Sequence, residues 1–118
     1  MYELHMHPLS QHARRVVSLL EEAGIDYTAT PVAIEKGEHM SPAYLAINPN
    51  HQVPALRVDG RVLLESNTIL RFLCDRHDLE AWYPKDALAR AQVDQWLDWN
   101  QCRLGPSVTQ LVLNKVML

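Results

Sequence analysis

An alternating stretch at the start of the chain, Tyr2–Met6, reads as a strand and puts His5 and His7 on one of its faces. From His12 to Ala23 the apolar period lengthens: Val16, Leu19, Leu20 and Ala23 fall on one side of a helix, with Arg14 and Arg15 on its solvent side. Strands follow over Tyr27–Val32, Ala55–Val58 and Val62–Leu64, with a short helix between the second and third and a longer one over Thr68–His77. Asp59-Gly60 between two apolar runs predicts a tight hairpin, which makes the third and fourth strands antiparallel neighbours. Helical spacing resumes at Ala87, first through Val93, Trp96 and Leu97, then through Val108, Leu111, Val112 and Lys115 or Val116. Gly105-Pro106 interrupts it and predicts a kink or break.

This order, a βαβ unit followed by ββα with a proline at the mouth of the third strand, is that of a thioredoxin-like α/β fold. Residues 1–77 would complete that domain, residues 78–86 with Trp82 and Pro84 would be a linker, and residues 87–118 would begin an all-α domain. The proline matters chemically. A trans Val53–Pro54 bond, the usual form, would run straight into the strand; a cis bond would turn the chain aside. The N–H and C=O of Val53 would then lack strand partners and suit a peptide-like ligand. Glu65 ends the fourth strand and Ser66 opens the next helix, where N-terminal N–H groups attract a carboxylate. Together they would grip an ammonium and a carboxylate on adjacent atoms, although Ser66 taken alone reads as an ordinary N-cap.

Several strings in sequence, Leu9-Ser10-Gln11, Lys36-Gly37-Glu38-His39-Met40-Ser41, Asn48-Pro49, Gln52-Val53-Pro54-Ala55-Leu56, Leu64-Glu65-Ser66 with Ile69-Leu70, Trp82-Tyr83-Pro84 and Ala89-Arg90-Ala91, resemble the amino-terminal half of a soluble glutathione S-transferase of the theta-like class. The resemblance implies that glutathione is bound as co-substrate, that its thiol is ionised, and that the thiolate attacks an electrophilic small molecule. It maps the catalytic hydroxyl onto Ser10. A free thiol has a pKa of about 8.5 and only its anion is a good nucleophile. A hydrogen bond to a charged group is worth roughly 1.5 to 3 kcal/mol, and one pKa unit is about 1.36 kcal/mol. One hydroxyl donor therefore lowers the thiol by about one to two units, and a helix opening at Gln11 or His12 adds its positive end. By local sequence alone Ser10 also reads as an N-cap after Pro8-Leu9.

The resemblance also implies contact between His39 and the glycyl end of glutathione, where the residue pattern alone allows a solvated loop histidine. Gln52 stands where theta relatives often carry lysine, so a neutral amide replaces a charge there, with His51 beside it in partial compensation. Ser10-Gln11-His12-Ala13 lacks the Cys-x-x-Cys of dithiol oxidoreductases. Other branches of the family supply the hydroxyl from a tyrosine near the end of the first strand, where this chain has Met6 and His7. No role falls to Gln11 or His12 from spacing.

Composition narrows the partners. Lys and Arg number 11 against 14 Asp and Glu, a net charge of −3, with no basic patch, which disfavours nucleic acid. No apolar run approaches the ~18 to 20 residues of a membrane span. Six histidines invite a metal, but a closed zinc site needs four ligands, and Cys74 and Cys102 lie far from the histidines and from each other, so no metal is expected. The two cysteines give no disulfide framework, and without a leader at Met1 the expected location is the cytoplasm. Family members carry a larger helical domain. The chain is expected to be a truncated or partial form of a longer enzyme, or a short form that buries its last helix in a homodimer through Trp96, Trp99 and Leu111. A non-catalytic, transferase-like binding or dimerisation module is the alternative; Ser10, Glu65 and Ser66 together favour the enzyme.

Overall fold

In the computed structural model, which describes residues 1–117, strand β1 (Tyr2–Met6) is hydrogen-bonded along both edges. The side chains of Val116 and Met117 and all of Leu118 lie outside the described residues, and so does the expectation placed on Val116. On one side β1 runs parallel to β2 (Thr28–Pro31), joined through helix α1 (Gln11–Ala23); on the other it runs antiparallel to β3 (Ala55–Val58). β3 turns back into β4 (Arg61–Leu64), giving the order β2-β1-β3-β4. The hairpin is the one the sequence predicts. Asp59 and Gly60 both take positive φ, 49° and 79°, the backbone that matches strand twist in a two-residue turn.

Tyr2 and Leu4 of β1 and Leu56 and Val58 of β3 face one way and meet Val16 and Leu20 of α1 and Ile69 and Leu73 of α3 (Ser66–Arg76). This is the main core, and Leu4, Val16, Leu20, Leu56, Ile69 and Leu73 are fully buried in it. Helix α1 ends cleanly at Gly24, whose φ of 66° lets Ile25 N–H reach back to Leu20 O at 2.9 Å. Behind the sheet, two single-turn 3₁₀ segments lead into the short helix α2 (Pro42–Leu45), and Tyr44 packs edge-on against His5 with ring centroids 6.0 Å apart.

Several boundaries differ from the sequence expectation. β2 is shorter at both ends, β4 begins at Arg61, and α3 begins at Ser66 and ends at Arg76. The residue flanking α3 is Glu65, with φ 72° and no side-chain capping bond, so Ser66 is the first helical residue and not the cap. Arg15 is not on a solvent face. It donates through Nη1 to Ser66 Oγ (3.3 Å) and through Nη2 to Asn67 Oδ1 (2.7 Å), because both side chains are buried at the α1–α3 contact and require partners.

Helix α4 (Ala87–Trp99) is capped by Asp86, whose Oδ2 accepts from Ala89 N–H. Arg90 pins the preceding turns: it donates to Pro84 O and Asp75, and its guanidinium lies 3.9 Å above the Tyr83 ring. Beyond α4 the chain does not break at Gly105-Pro106. It passes through a π-helical turn (Asn100–Leu104) into α5 (Gly105–Val112) with helical dihedrals throughout. Pro106 lacks an N–H and its ring presses on the carbonyl four residues back; the wider turn just before it relieves both problems.

Leu56→Ala should cost about 2–5 kcal/mol, since the site is sealed between two helices and cannot collapse; equilibrium urea unfolding measures it. A pH dependence also follows. Burial lowers the His5 and His12 imidazoles below the ordinary 6.5, outweighing nearby Glu3 and Glu65. Below pH 6.5 the unfolded chain binds protons that the folded chain refuses, so stability is full above that value and falls as pH drops through it. Urea midpoints from pH 8 to pH 5 should show the decline, and His5→Phe should reduce it, leaving the His12 part.

Candidate functional site

The connection from β1 into α1 sets the site. His7 is buried, its Nε2–H donating to Glu35 Oε2 at 2.8 Å while its Nδ1 accepts from Leu9 N–H at 3.1 Å. Those two bonds fix the neutral tautomer that carries its proton on Nε2. The Glu35 carboxyl is held below its usual range, chiefly by its own backbone N–H and then by His7. With the turn pinned, Ser10 arrives as the N-cap of α1: φ is −77°, ψ is 117°, and Oγ accepts from Ala13 N–H at 3.2 Å. The hydroxyl accepts in that bond, so its own proton stays free to donate.

Facing Ser10 is the loop before β3. Tyr44 Oη donates to Gln52 O at 2.6 Å and Asn48 Nδ2 donates to the same oxygen at 2.9 Å. Burial pushes the Tyr44 phenol up to about 12, so it stays a donor. The Val53–Pro54 peptide is cis, and the sheet pairing of β3 starts only at Ala55, opposite His5. Among the described residues, the Val53 N–H and C=O enter neither the ladder nor the loop hydrogen bonds.

Ser10, His39, Gln52 and Val53 line one cavity of about 480 Å³ together with His7, His12 and His51. Four of the six histidines thus share it, and His39 and His51 lie with ring centroids 6.3 Å apart. The opposite wall comes from the last helical segment, through Gln101, Pro106, Thr109, Gln110, Val112 and Leu113. Among the described lining residues none is a lysine or arginine. Pro54, Glu65 and Ser66 do not line this cavity. Ser66 is buried with Oγ accepting from Arg15; Glu65 is exposed beside the site, its charge acting on the His12 imidazole. Sequence reasoning missed the far wall altogether, since nothing in the spacing of Thr109 or Gln110 connects them with residue 10.

A mixed four-stranded sheet with α1 and α3 on one face, a cis-proline at the entry to β3 and a capped helix end opposite that proline's loop define a thioredoxin-like domain. Residues 9–76 match the family model described as glutathione S-transferase, N-terminal domain, and the chain belongs to the glutathione S-transferase family. It is 36% identical over 116 residues to glutathione S-transferase theta-1 of Rattus norvegicus, an alignment that takes in 98% of this chain and 48% of that protein. Poplar glutathione transferase F1 superposes with a TM-score of 0.88 at 32% identity, covering 99% of this chain and 56% of the other. Human glutathione transferase theta-2, solved in complex with glutathione, superposes with a TM-score of 0.82 at 33% identity, covering 86% and 42%. The chain therefore spans about half the length of the curated relatives it matches. No helix among the described residues is long and apolar enough to cross a membrane.

Tyr44→Phe should leave the Gln52 carbonyl with Asn48 as its single protein donor and cost about 1 kcal/mol. Asn48→Ala in the same background should cost more than the sum of the two single changes, because the carbonyl oxygen then has no protein donor. A double-mutant cycle in urea checks both.

Proposed function

We propose that this chain binds glutathione in the cavity and ionises its thiol for attack on an electrophilic carbon, with Ser10 as the hydrogen-bond donor to the thiolate. The observation that carries this reading is the state of the Ser10 hydroxyl: its acceptor side is occupied by Ala13 N–H, and its proton is unused and borders the cavity. The capping role and the donor role therefore coexist in one hydroxyl. The first-turn N–H groups of α1 favour negative charge at the same spot.

The peptide portion of the ligand would pair with the N–H and C=O of Val53, held in place through the doubly bonded Gln52 carbonyl. His39, with His51 and Gln52 next to it, would meet the glycyl carboxylate. Glu65 and Ser66 would take the γ-glutamyl ammonium and carboxylate from outside the described cavity, the Ser66 hydroxyl proton being free because Oγ only accepts from Arg15. In the reaction the thiol proton leaves to solvent, a sulfur lone pair forms the C–S bond, and the leaving group, a halide for instance, departs with its bonding electrons. Buried Cys74, whose thiol burial pushes up, and Cys102 are unpaired, as suits the cytoplasm. Trp96 and Trp99, 61% and 42% exposed and in edge-to-face contact, and Leu111 at 58%, are exposed apolar side chains that a homodimer would cover.

Ser10→Gly, which costs a helix cap only a few tenths of a kcal/mol, isolates the donor role. Glutathione should still bind, but the ultraviolet thiolate band of the bound ligand should disappear at neutral pH and turnover should fall about 10- to 100-fold. An unchanged band would show that Ser10 is not the donor. The alternative, a binding module without catalysis, predicts no band in either protein.

A further inference from the structure

We infer that Gln11 is the positioning residue that fixes the far wall of the cavity against Ser10, an assignment that rests on the function proposed above. Gln11 directly follows the thiolate donor in sequence and borders the cavity itself, and its side-chain amide reaches across to α5. Its Nε2 donates to Gly105 O at 2.7 Å and to Thr109 Oγ1 at 3.1 Å, across 94 and 98 positions of sequence. Both amide protons are thereby used. Among the described residues these are the only side-chain hydrogen bonds that join residues 1–86 to α5. Other ties between the two parts, Asn67 Nδ2 to Leu97 O and Arg71 to Asp94, hold α4, upstream of the π turn.

Shape supports the same assignment. Gly105 is buried, and a Cβ added there would lie 2.7 Å from Asn100 O and 3.0 Å from His12 Cε1. Helix α5 reaches the first turn of α1 because residue 105 has no side chain, and the Gln11 amide then closes the contact. Pro106, Thr109, Gln110 and Val112, the wall that an electrophile would rest against, belong to this same short helix. Gln11 thus sets the separation between the sulfur and the second substrate. That quantity is steep: a displacement of about 1 Å costs on the order of a hundredfold in rate. The loop with Gln52 and Val53, which would hold the peptide, is braced independently by Tyr44 and Asn48.

Gln11→Met is close in shape and removes both donors without adding a charge to the cavity. In this variant amide hydrogen exchange over residues 105–112 should accelerate, while exchange over residues 90–97 stays unchanged. Calorimetric affinity for glutathione should stay within about twofold, and kcat/KM for benzyl chloride should fall roughly 10- to 100-fold. Thr109→Val should produce a smaller loss and be non-additive with Gln11→Met. Unchanged exchange in α5, or glutathione affinity falling in step with kcat/KM, would overturn the inference. If wild-type protein bound no glutathione, the proposed function would fail together with the catalytic half of this inference, and the exchange measurement would still decide whether Gln11 holds α5.

Discussion

Everything in this molecule hangs on how α1 is packed. Val16 and Leu20 are fully buried against Leu4 and Leu56 of the two central strands, so the axial position and rotation of the helix are set by the core. Its first turn inherits that precision. Ser10 caps it, the Gln11 amide reaches α5, His12 abuts Gly105, and Ala13, whose N–H bonds to the cap, is itself buried with Val32, Tyr44 and Val53. A hydroxyl held in this way does not search for its partner; the orientation cost is borne by folding.

The polar groups buried around α1 follow one logic: each is braced by another element. Arg15 joins α1 to the start of α3 through Ser66 and Asn67, and Asn67 passes the connection to α4 through Leu97 O. His7 is locked between Leu9 and Glu35, and the Gln52 carbonyl between Tyr44 and Asn48. Where the group is buried, as His7, Ser66 and Asn67 are, breaking one partner leaves it unsatisfied, which costs more than the bond itself contributes. Most of the chain's site geometry is therefore secured by side-chain hydrogen bonds, and the apolar core supplies the platform.

The cavity spans two structural units of different character. One wall is the braced loop before β3 and the capped end of α1; the other is a short helix that follows a π turn and, among the described residues, is hydrogen-bonded to residues 1–86 through one amide side chain. Packing joins the two walls as well, with Gly105 lying against His12. The π turn ahead of Pro106 shows the means: a helix that would otherwise bend instead widens, and Pro106 is left facing the cavity.

The strand alternation, the Asp59-Gly60 turn and the apolar side of α1 were legible in the residues alone, because each depends on neighbours within a few positions and on a fixed backbone period. The family resemblance grouped Ser10, His39, Gln52 and Val53 with Glu65 and Ser66; the first four line one cavity and the last two do not. What the chain order does not carry is any pairing between distant side chains. That Arg15 is an internal partner and not a solvent-face residue, that Glu65 flanks α3 with positive φ, and that Gln11 reaches Gly105 and Thr109 were all decided by tertiary packing. Local periodicity fixes which side of a helix is apolar, but a buried polar group takes whichever donor the folded chain brings within 3 Å or so, and only the assembled structure says which one that is.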